Sequence, residues 1–386
     1  MLVPAESDDV VASLGAAGAG RGSRVGVAWA PGGVGFAHGG AAVWCRGEGV
    51  DAVRGLVDAM APRLVWWSAA SARPLVEAGV HVTASWDVAA THRLLHGGSD
   101  ADPGVVWAVA AGLPAGERPR TGQLDLLGLP SGPARAGGDD PAEGWDPVRP
   151  DGHLRPDWAE AGPPGPAAAA AWAAAALQVA DRHAAQLADL PDGRREPGTP
   201  SLPTLTAWSE SAAELLAVEL GRTGLPLDRE TAGALVAERV GPRPVDAAAA
   251  AASRARRDAE VLSHLPGAPE VDLRNPAQVR DLLLRVGIDL PDTRSWRLEP
   301  LRGAHPLVDA LLTWRKAERI ATTYGYSWLD RHVGSDGRLR GSWTGCDGAA
   351  GRMTASAGLH NLPGELRPAV VAEPGHVLVR ADLGQV

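Results

Sequence analysis

The C-terminal part of this sequence holds residue types suited to handling phosphates. Arg315, Lys316 and Arg319 fall within little more than one turn of a segment whose apolar spacing predicts a long helix over 306–332, so at least two of them can face one partner. In Gly348-Ala-Ala-Gly-Arg352-Met-Thr the glycines permit close backbone approach and present Arg352 from a tight segment. Asn361-Leu-Pro follows. An alternating apolar run over 376–383 then reads as a strand that delivers Asp382 at its end, with Gln385 just beyond. A carboxylate at a strand end beside basic loops can hold Mg²⁺ for phosphoryl transfer. Each feature taken singly also fits a plainer role: a solvated basic helix face, a turn-forming aspartate, an isolated glycine pair.

The elements that would position these groups change character along the chain. Over 24–95, short Val- and Trp-rich stretches (24–29, 34–38, 41–44, 63–67) read as strands and 51–60, 72–78 and 87–95 as helices, which together make a small α/β layer. Residues 112–166 are dense in Pro, Gly and Asp with little periodicity and read as a linker or insertion. The alanine-rich 167–190 is helical by propensity; it suits either a spacer or a packed helix, with Trp172, Leu177 and Val179 as its packing residues. Helical segments follow at 207–222, 228–240, 246–265 and 276–286, the last opened by Asn275 as N-cap with Pro276 at the first helical position. A turn and strand are expected at 337–343.

Composition narrows the function class. Two cysteines, Cys45 and Cys346, lie too far apart for a disulfide framework or a multi-cysteine zinc site, and a reducing cytoplasm is the expected setting. No segment is apolar for long enough to span a bilayer, so no membrane partner is expected. The net charge of −9 seems to argue against nucleic acid, but −8 of it belongs to residues 1–200, whereas 274–352 carries a local +4.

Order and spacing give the C-terminal features more weight than each has alone. The run His305-Pro-Leu, Trp314-Arg-Lys-Ala-Glu-Arg-Ile-Ala-Thr-Thr-Tyr324, Ala350-Gly-Arg-Met-Thr, Leu359-His-Asn-Leu-Pro and Ala381-Asp-Leu-Gly-Gln385 resembles family A DNA polymerases, the bacterial DNA polymerase I type. In that family the pattern reads His-Pro-Leu, a helix ending in Ser-Thr-Tyr, Thr-Gly-Arg-Leu-Ser-Ser, Asn-Leu-Gln-Asn-Ile-Pro and Asp-Tyr-Ser-Gln-Ile-Glu. Upstream, Leu216-Ala-Val-Glu-Leu-Gly-Arg-Thr-Gly-Leu-Pro-Leu-Asp228 is similar to the entry into the family's thumb, and Val271-Asp-Leu-Arg-Asn-Pro-Ala-Gln-Val-Arg-Asp-Leu-Leu to a thumb helix.

The resemblance implies roles residue by residue. Asp382 would be the first catalytic carboxylate and a ligand to both Mg²⁺ ions of a two-metal site. Arg352 would reach the primer-terminal base pair from the minor groove, where acceptors occupy similar places for every pair. Asn361 would contact template or primer near the terminus, and Gln385 would lie beside the terminal pair. Arg315, Lys316 and Arg319 would follow the duplex backbone without reading sequence. The implied partners are primer–template DNA and deoxynucleoside triphosphates, acting on a monomer in the cytoplasm, associated with the nucleoid. The sequence departs from the pattern at Ala350 for Thr and Gly358 for Asn. The nucleotide-binding fingers helix and the later His-Asp-Glu with the second carboxylate do not occur in these residues, so the chain is expected to be the front portion of a polymerase, inactive by itself.

The N-terminal layer is similar to the family's RNase-H-like 3′–5′ exonuclease domain. Arg24-Val-Gly-Val-Ala-Trp and Val34-Gly-Phe-Ala-His look like its second and third strands, and nothing before Arg24 reads as its first. The positions of its metal-binding acids fall near Ser71-Ala72 and near Ala176, with Asp181 five residues away; Asp87 matches a position that is not a ligand. No exonuclease metal ligand is therefore assigned, and a degenerate domain is expected. The organisation expected is α/β plus mainly α: an exonuclease-like α/β domain over 1–111, the linker or insertion over 112–166, the last helix of the exonuclease-like domain over 167–195, a helical thumb over 200–335, and the start of an α+β palm over 336–386. A DNA-binding module without catalysis, and an alanine-rich scaffold with no nucleic-acid role, are the competing readings.

Overall fold

The structure is a computed structural model that describes residues 2–6, 9–47, 49–121, 146–193, 198–267, 271–347, 351–381 and 384. The chain divides into two compact units, one of residues 1–222 with 342–354, the other of 223–341 with 355–386.

The first unit is built on a six-stranded sheet. Strand β1 (Leu2–Pro4) is followed by helix α1 (Asp9–Ala16), then β2 (Arg24–Ala30), β3 (Gly33–His38) and β4 (Ala41–Arg46), α2 (Val50–Met60), β5 (Arg63–Trp66), α3 (Arg73–Glu77) and β6 (Ser85–Asp87). Sheet order is β1-β4-β3-β2-β5-β6; β3 runs antiparallel to β2 and β4, and β5 is parallel to β2 and β6. Helices α4 (Val88–His96), α5 (Pro103–Ala111), α6 (Pro156–Ala161), α7 (Pro166–Asp189) and α8 (Leu202–Thr223) complete the run. Val10, Leu14, Val53 and Leu56 from α1 and α2 pack with Val25, Val27 and Phe36 in one core cluster, while Ala28, Val65 and Trp67 pack with the α7 residues Trp172, Ala173 and Ala176 in another. This agrees with the α/β layer read from the strands and helices between 24 and 95.

Two expectations differ from the structure and one open choice is decided by it. A strand does precede Arg24: β1 pairs in parallel with β4, but three residues, Leu2-Val3-Pro4, are too few to show a period. Of the two readings left open for the alanine run, the packed helix is the one observed. A Cβ on Gly35 would lie 2.0 Å from the Ala170 nitrogen and one on Gly26 2.4 Å from the Ala173 oxygen, so small residues on both sides set the approach. Within the stretch expected as a linker, α6 forms and its Trp158 is buried with Leu154 against Trp172, because two large apolar side chains suffice to anchor a segment without periodicity.

The second unit contains β7 (Leu225–Pro226), α9 (Arg229–Val240), α10 (Ala247–Leu262), α11 (Pro276–Arg285), α12 (Ser295–Leu298), α13 (Pro306–Thr323), α14 (Tyr326–His332) and β8 (Arg338–Leu339), which pairs antiparallel with β7. Asn275 caps α11 as its sequence implies, accepting from the Ala277 and Gln278 amides. The long helix expected over 306–332 is two helices. Tyr324 leaves helical geometry, and a Cβ on Gly325 would come within 2.8 Å of the Ala321 carbonyl oxygen. The strand expected over 337–343 is limited to β8. A hairpin of β9 (Trp343–Asp347) and β10 (Arg352–Ala355) follows, most of it in the first unit. The strand expected over 376–383 does not form over the described 376–381: no neighbouring strand pairs with it among the described residues, and Val377 and Val379 are 83% and 86% exposed.

Candidate nucleic-acid interface

In the second unit α13 is seated by a charged underside. Its N-cap is His305, whose Nδ1 accepts from the Leu307 amide at 3.1 Å, which gives the first residue of His-Pro-Leu a local structural role. Glu318 is buried and accepts from Arg257 at 3.1 Å and Arg274 at 2.7 Å; Arg274 also donates to Asp258 at 2.8 Å, and Asp258 accepts from Trp314 Nε1 at 2.8 Å. The Asp258 and Glu318 carboxylates hold the Arg274 guanidinium firmly charged, pushing its pKa above the usual arginine range.

The three basic residues of α13 have different surroundings. Arg315 is half-buried and donates to the carbonyl and hydroxyl oxygens of Thr293; burial pushes its pKa down. Lys316 is exposed and borders a cavity of about 780 Å³ together with Arg302 and His264. Arg319, also exposed, donates to the Asn361 carbonyl oxygen at 3.2 Å and lies over the Tyr324 ring at 5.6 Å.

That carbonyl is the pivot of the neighbouring loop. Tyr324 donates its phenolic O–H to it at 3.0 Å, and Trp328 Nε1 donates to the Ala357 carbonyl at 2.9 Å. With its backbone held by two donors, Asn361 keeps an exposed side chain. Gly358 has φ +74° and faces the Tyr324 ring; a Cβ there would lie 2.3 Å from a ring carbon. The glycine that departs from the polymerase pattern is thus the residue this ring position requires.

Arg352 lies in the first unit, exposed, at the start of β10. The hairpin, α4 and α8 surround a cavity of about 810 Å³ in which Arg93 pairs with Glu214 at 2.7 Å beside Glu210, Cys346 and Asp347. Burial, followed by the nearby Glu210, pushes the Cys346 thiol up, so it is an unreactive thiol near neutral pH. Asp382 and Gln385 lie outside the described residues. The structure thus joins Arg319 to Asn361, holds Arg315 on Thr293, and leaves Lys316 and Arg352 exposed.

Sequence reasoning passed over a second group. His92 and His96 on α4 and His183 on α7 bring their ring nitrogens within 4.8 Å of one another. The four-residue spacing of the first two was visible; the third, far along the chain, carried no signal.

No protein-family model matches the chain. It is 36% identical over 102 residues to the thermostable DNA polymerase I of Thermus filiformis (24% of this chain, 12% of that protein). With DNA polymerase I of Deinococcus radiodurans identity is 26% over 147 residues (33% and 15%), and with the thermostable enzyme of Thermus aquaticus 33% over 96 (23% and 12%). Over about a quarter to a third of its length the chain is similar to bacterial DNA polymerase I. It spans about an eighth of the length of those curated relatives. The fold is similar to a solved polymerase domain, the POL domain of Pol1 from M. smegmatis in complex with DNA primer-template and dNTP: TM-score 0.59 and 17% identity, covering 97% of this chain and 59% of that one. No helix among the described residues is long and apolar enough to cross a membrane.

Proposed function

We propose that these residues are the front portion of a DNA-directed DNA polymerase that adds deoxynucleotides to a primer 3′-OH. The observation that carries the reading is the ordered series of motifs from Leu216 to Gln385, supported by the likeness of the whole fold to a polymerase domain. On this reading the first unit is an RNase-H-like exonuclease remnant that shapes the enzyme, residues 200–335 are the thumb, and 336–386 begin the palm. Neither β1 nor the central strand β2 carries an acidic residue, and Asp181 is taken up in an ion pair with Arg24 at 3.0 Å.

The residues divide the work by exposure. Lys316 and Arg319, both exposed, would meet phosphates of primer–template DNA without reading bases. Arg315, anchored on Thr293, positions the helix more than it reaches outward. Arg352 and Asn361 would contact the primer terminus, with Gln385 beside it. Asp382 offers oxygen ligands of the kind Mg²⁺ takes, whereas the three imidazoles near α4 suit a different class of ion. When bound, Mg²⁺ supplies charge neutralisation and polarisation of the primer hydroxyl. The second carboxylate and the triphosphate-binding groups would come from the remainder of the polymerase, acting in the cytoplasm.

Primer extension by the full-length protein tests this. Incorporation that disappears with Asp382→Asn, while primer–template affinity stays unchanged, is expected. Salt-dependent binding by a full-length protein with no incorporation would instead identify a non-catalytic DNA-binding module.

A further inference from the structure

The histidine group on α4 and α7 is independent of any polymerase chemistry. α4 places His92 and His96 one turn apart on a single face, and α7 packs His183 against that face. Ring centroids are 4.8 Å apart for His92–His96, 6.2 Å for His92–His183 and 6.4 Å for His96–His183. His92 is 3% exposed and His183 0%, while His96 reaches solvent.

Two of these rings are poorly explained as ordinary core residues. His92 Nδ1 and both ring nitrogens of His183 are shut away from solvent with no hydrogen-bond partner among the described residues. Leaving a buried polar atom unpaired costs about 1–3 kcal/mol. A core that needed only bulk here would be better served by leucine. One nitrogen from each of three rings, all within 4.8 Å of one another, with unpartnered nitrogens on both buried rings, is instead what a site for a bound cation looks like when only the protein's contribution is considered.

We propose that His92, His96 and His183 form a binding site for a borderline divalent transition-metal ion of the Zn²⁺ class, tying α4 to α7 and leaving a fourth coordination position open on the His96 side.

The protonation state suits this. Burial, then the neighbouring imidazoles, push His92 down to about 4 and His183 down to about 3, so both are neutral at physiological pH, the form that ligates metal. The nearby charges acting on His92 are Arg93 and Asp100, and Asp100 is paired with Arg118 at 3.4 Å. Imidazole nitrogen selects Zn²⁺, Cu²⁺ or Ni²⁺ over Mg²⁺ or Ca²⁺. Zn–N bonds of about 2.0–2.1 Å in tetrahedral geometry bring ligand nitrogens to roughly 3.4 Å from each other.

The test uses the 386-residue chain stripped with chelator, titrated with Zn²⁺ by calorimetry and with Co²⁺ by absorption. One equivalent of Zn²⁺ and the visible bands of four-coordinate, nitrogen-ligated Co²⁺ are expected, with a rise in melting temperature on adding Zn²⁺. His96→Ala changes an exposed residue and keeps the fold; it should weaken Zn²⁺ by more than about 100-fold, since even an outer-shell partner is worth about 10–100-fold. His183→Gln, checked for native circular dichroism, should abolish the Co²⁺ bands, while Cys346→Ser should leave them unchanged. Absence of saturable binding, equal affinity in His96→Ala, or a thiolate-to-Co²⁺ charge-transfer band would each overturn the proposal.

Discussion

The two units handle buried charge in opposite ways. In the first, titratable groups enter the interior with burial as the main influence on their protonation: Asp87 is 1% exposed, and His92 and His183 sit beside each other. In the second, the buried acid Glu318 has two arginines on it, and the exposed Asp330 is likewise shared by Arg229 and Arg243. The first solution holds groups in their neutral forms, so its stability follows pH. The second holds them charged and paired, so it follows salt and the integrity of each pair.

The largest effects should come from breaking each solution at its centre. Gly35→Ala places a Cβ against the α7 backbone and should destabilise the first unit by about 3 kcal/mol or more, read from urea unfolding. Glu318→Gln leaves Arg257 and Arg274 with an uncharged partner. The expected loss is about 2–3 kcal/mol, below the full value for a wholly buried pair because the Arg274 side chain is 30% exposed. It should shrink as salt is raised, which the Gly35→Ala loss should not.

Titration sharpens the contrast further. Burial raises Asp87 to about 7, so between its unfolded value near 4 and pH 7 the unfolded chain ionises first and stability falls as pH rises. His92 and His183 act the other way: the unfolded chain takes up protons below about pH 6.5, and stability falls as pH drops towards 4. The two slopes oppose each other in the overlap. Asp87→Asn keeps an oxygen to cap α4 and removes one of them. It should steepen the acid-side loss by about 1.4 kcal/mol per pH unit between about pH 4 and 7, read from urea midpoints at successive pH values.

The smallest stability effect belongs to the exposed α13 face. Lys316→Ala should change unfolding by no more than about 0.5 kcal/mol. The same variant should reduce the slope of log affinity for primer–template against log salt by about 1, separating surface from scaffold.

What was legible in the sequence followed from local rules. Strands β2 to β5 show themselves in short Val- and Trp-rich runs, and α11 announces its start through Asn275-Pro276. The break between α13 and α14 was hidden because Thr322-Thr-Tyr-Gly-Tyr326 contains a single glycine, which a helix tolerates until a backbone oxygen approaches it. Of the candidate interface, Lys316, Arg319, Arg352 and Asn361 are exposed, while the anchoring of Arg315 on Thr293 was invisible in the sequence, as was the reason for Gly358. Both depend on contacts between residues more than twenty positions apart. His183 was hidden for the same reason: proximity to α4 is a property of the sheet-and-helix stack and leaves no local pattern.

The alanine face of α7 has one more consequence. Alanine and glycine have no rotamers to lose on burial, so this contact forms without the side-chain entropy that a leucine-rich interface gives up. It also has no rotamers with which to adapt. A larger residue introduced on either face of the contact cannot be absorbed by neighbouring side chains turning aside and must displace main chain, so this seam should accept almost no substitution while the exposed side of the same helix accepts many.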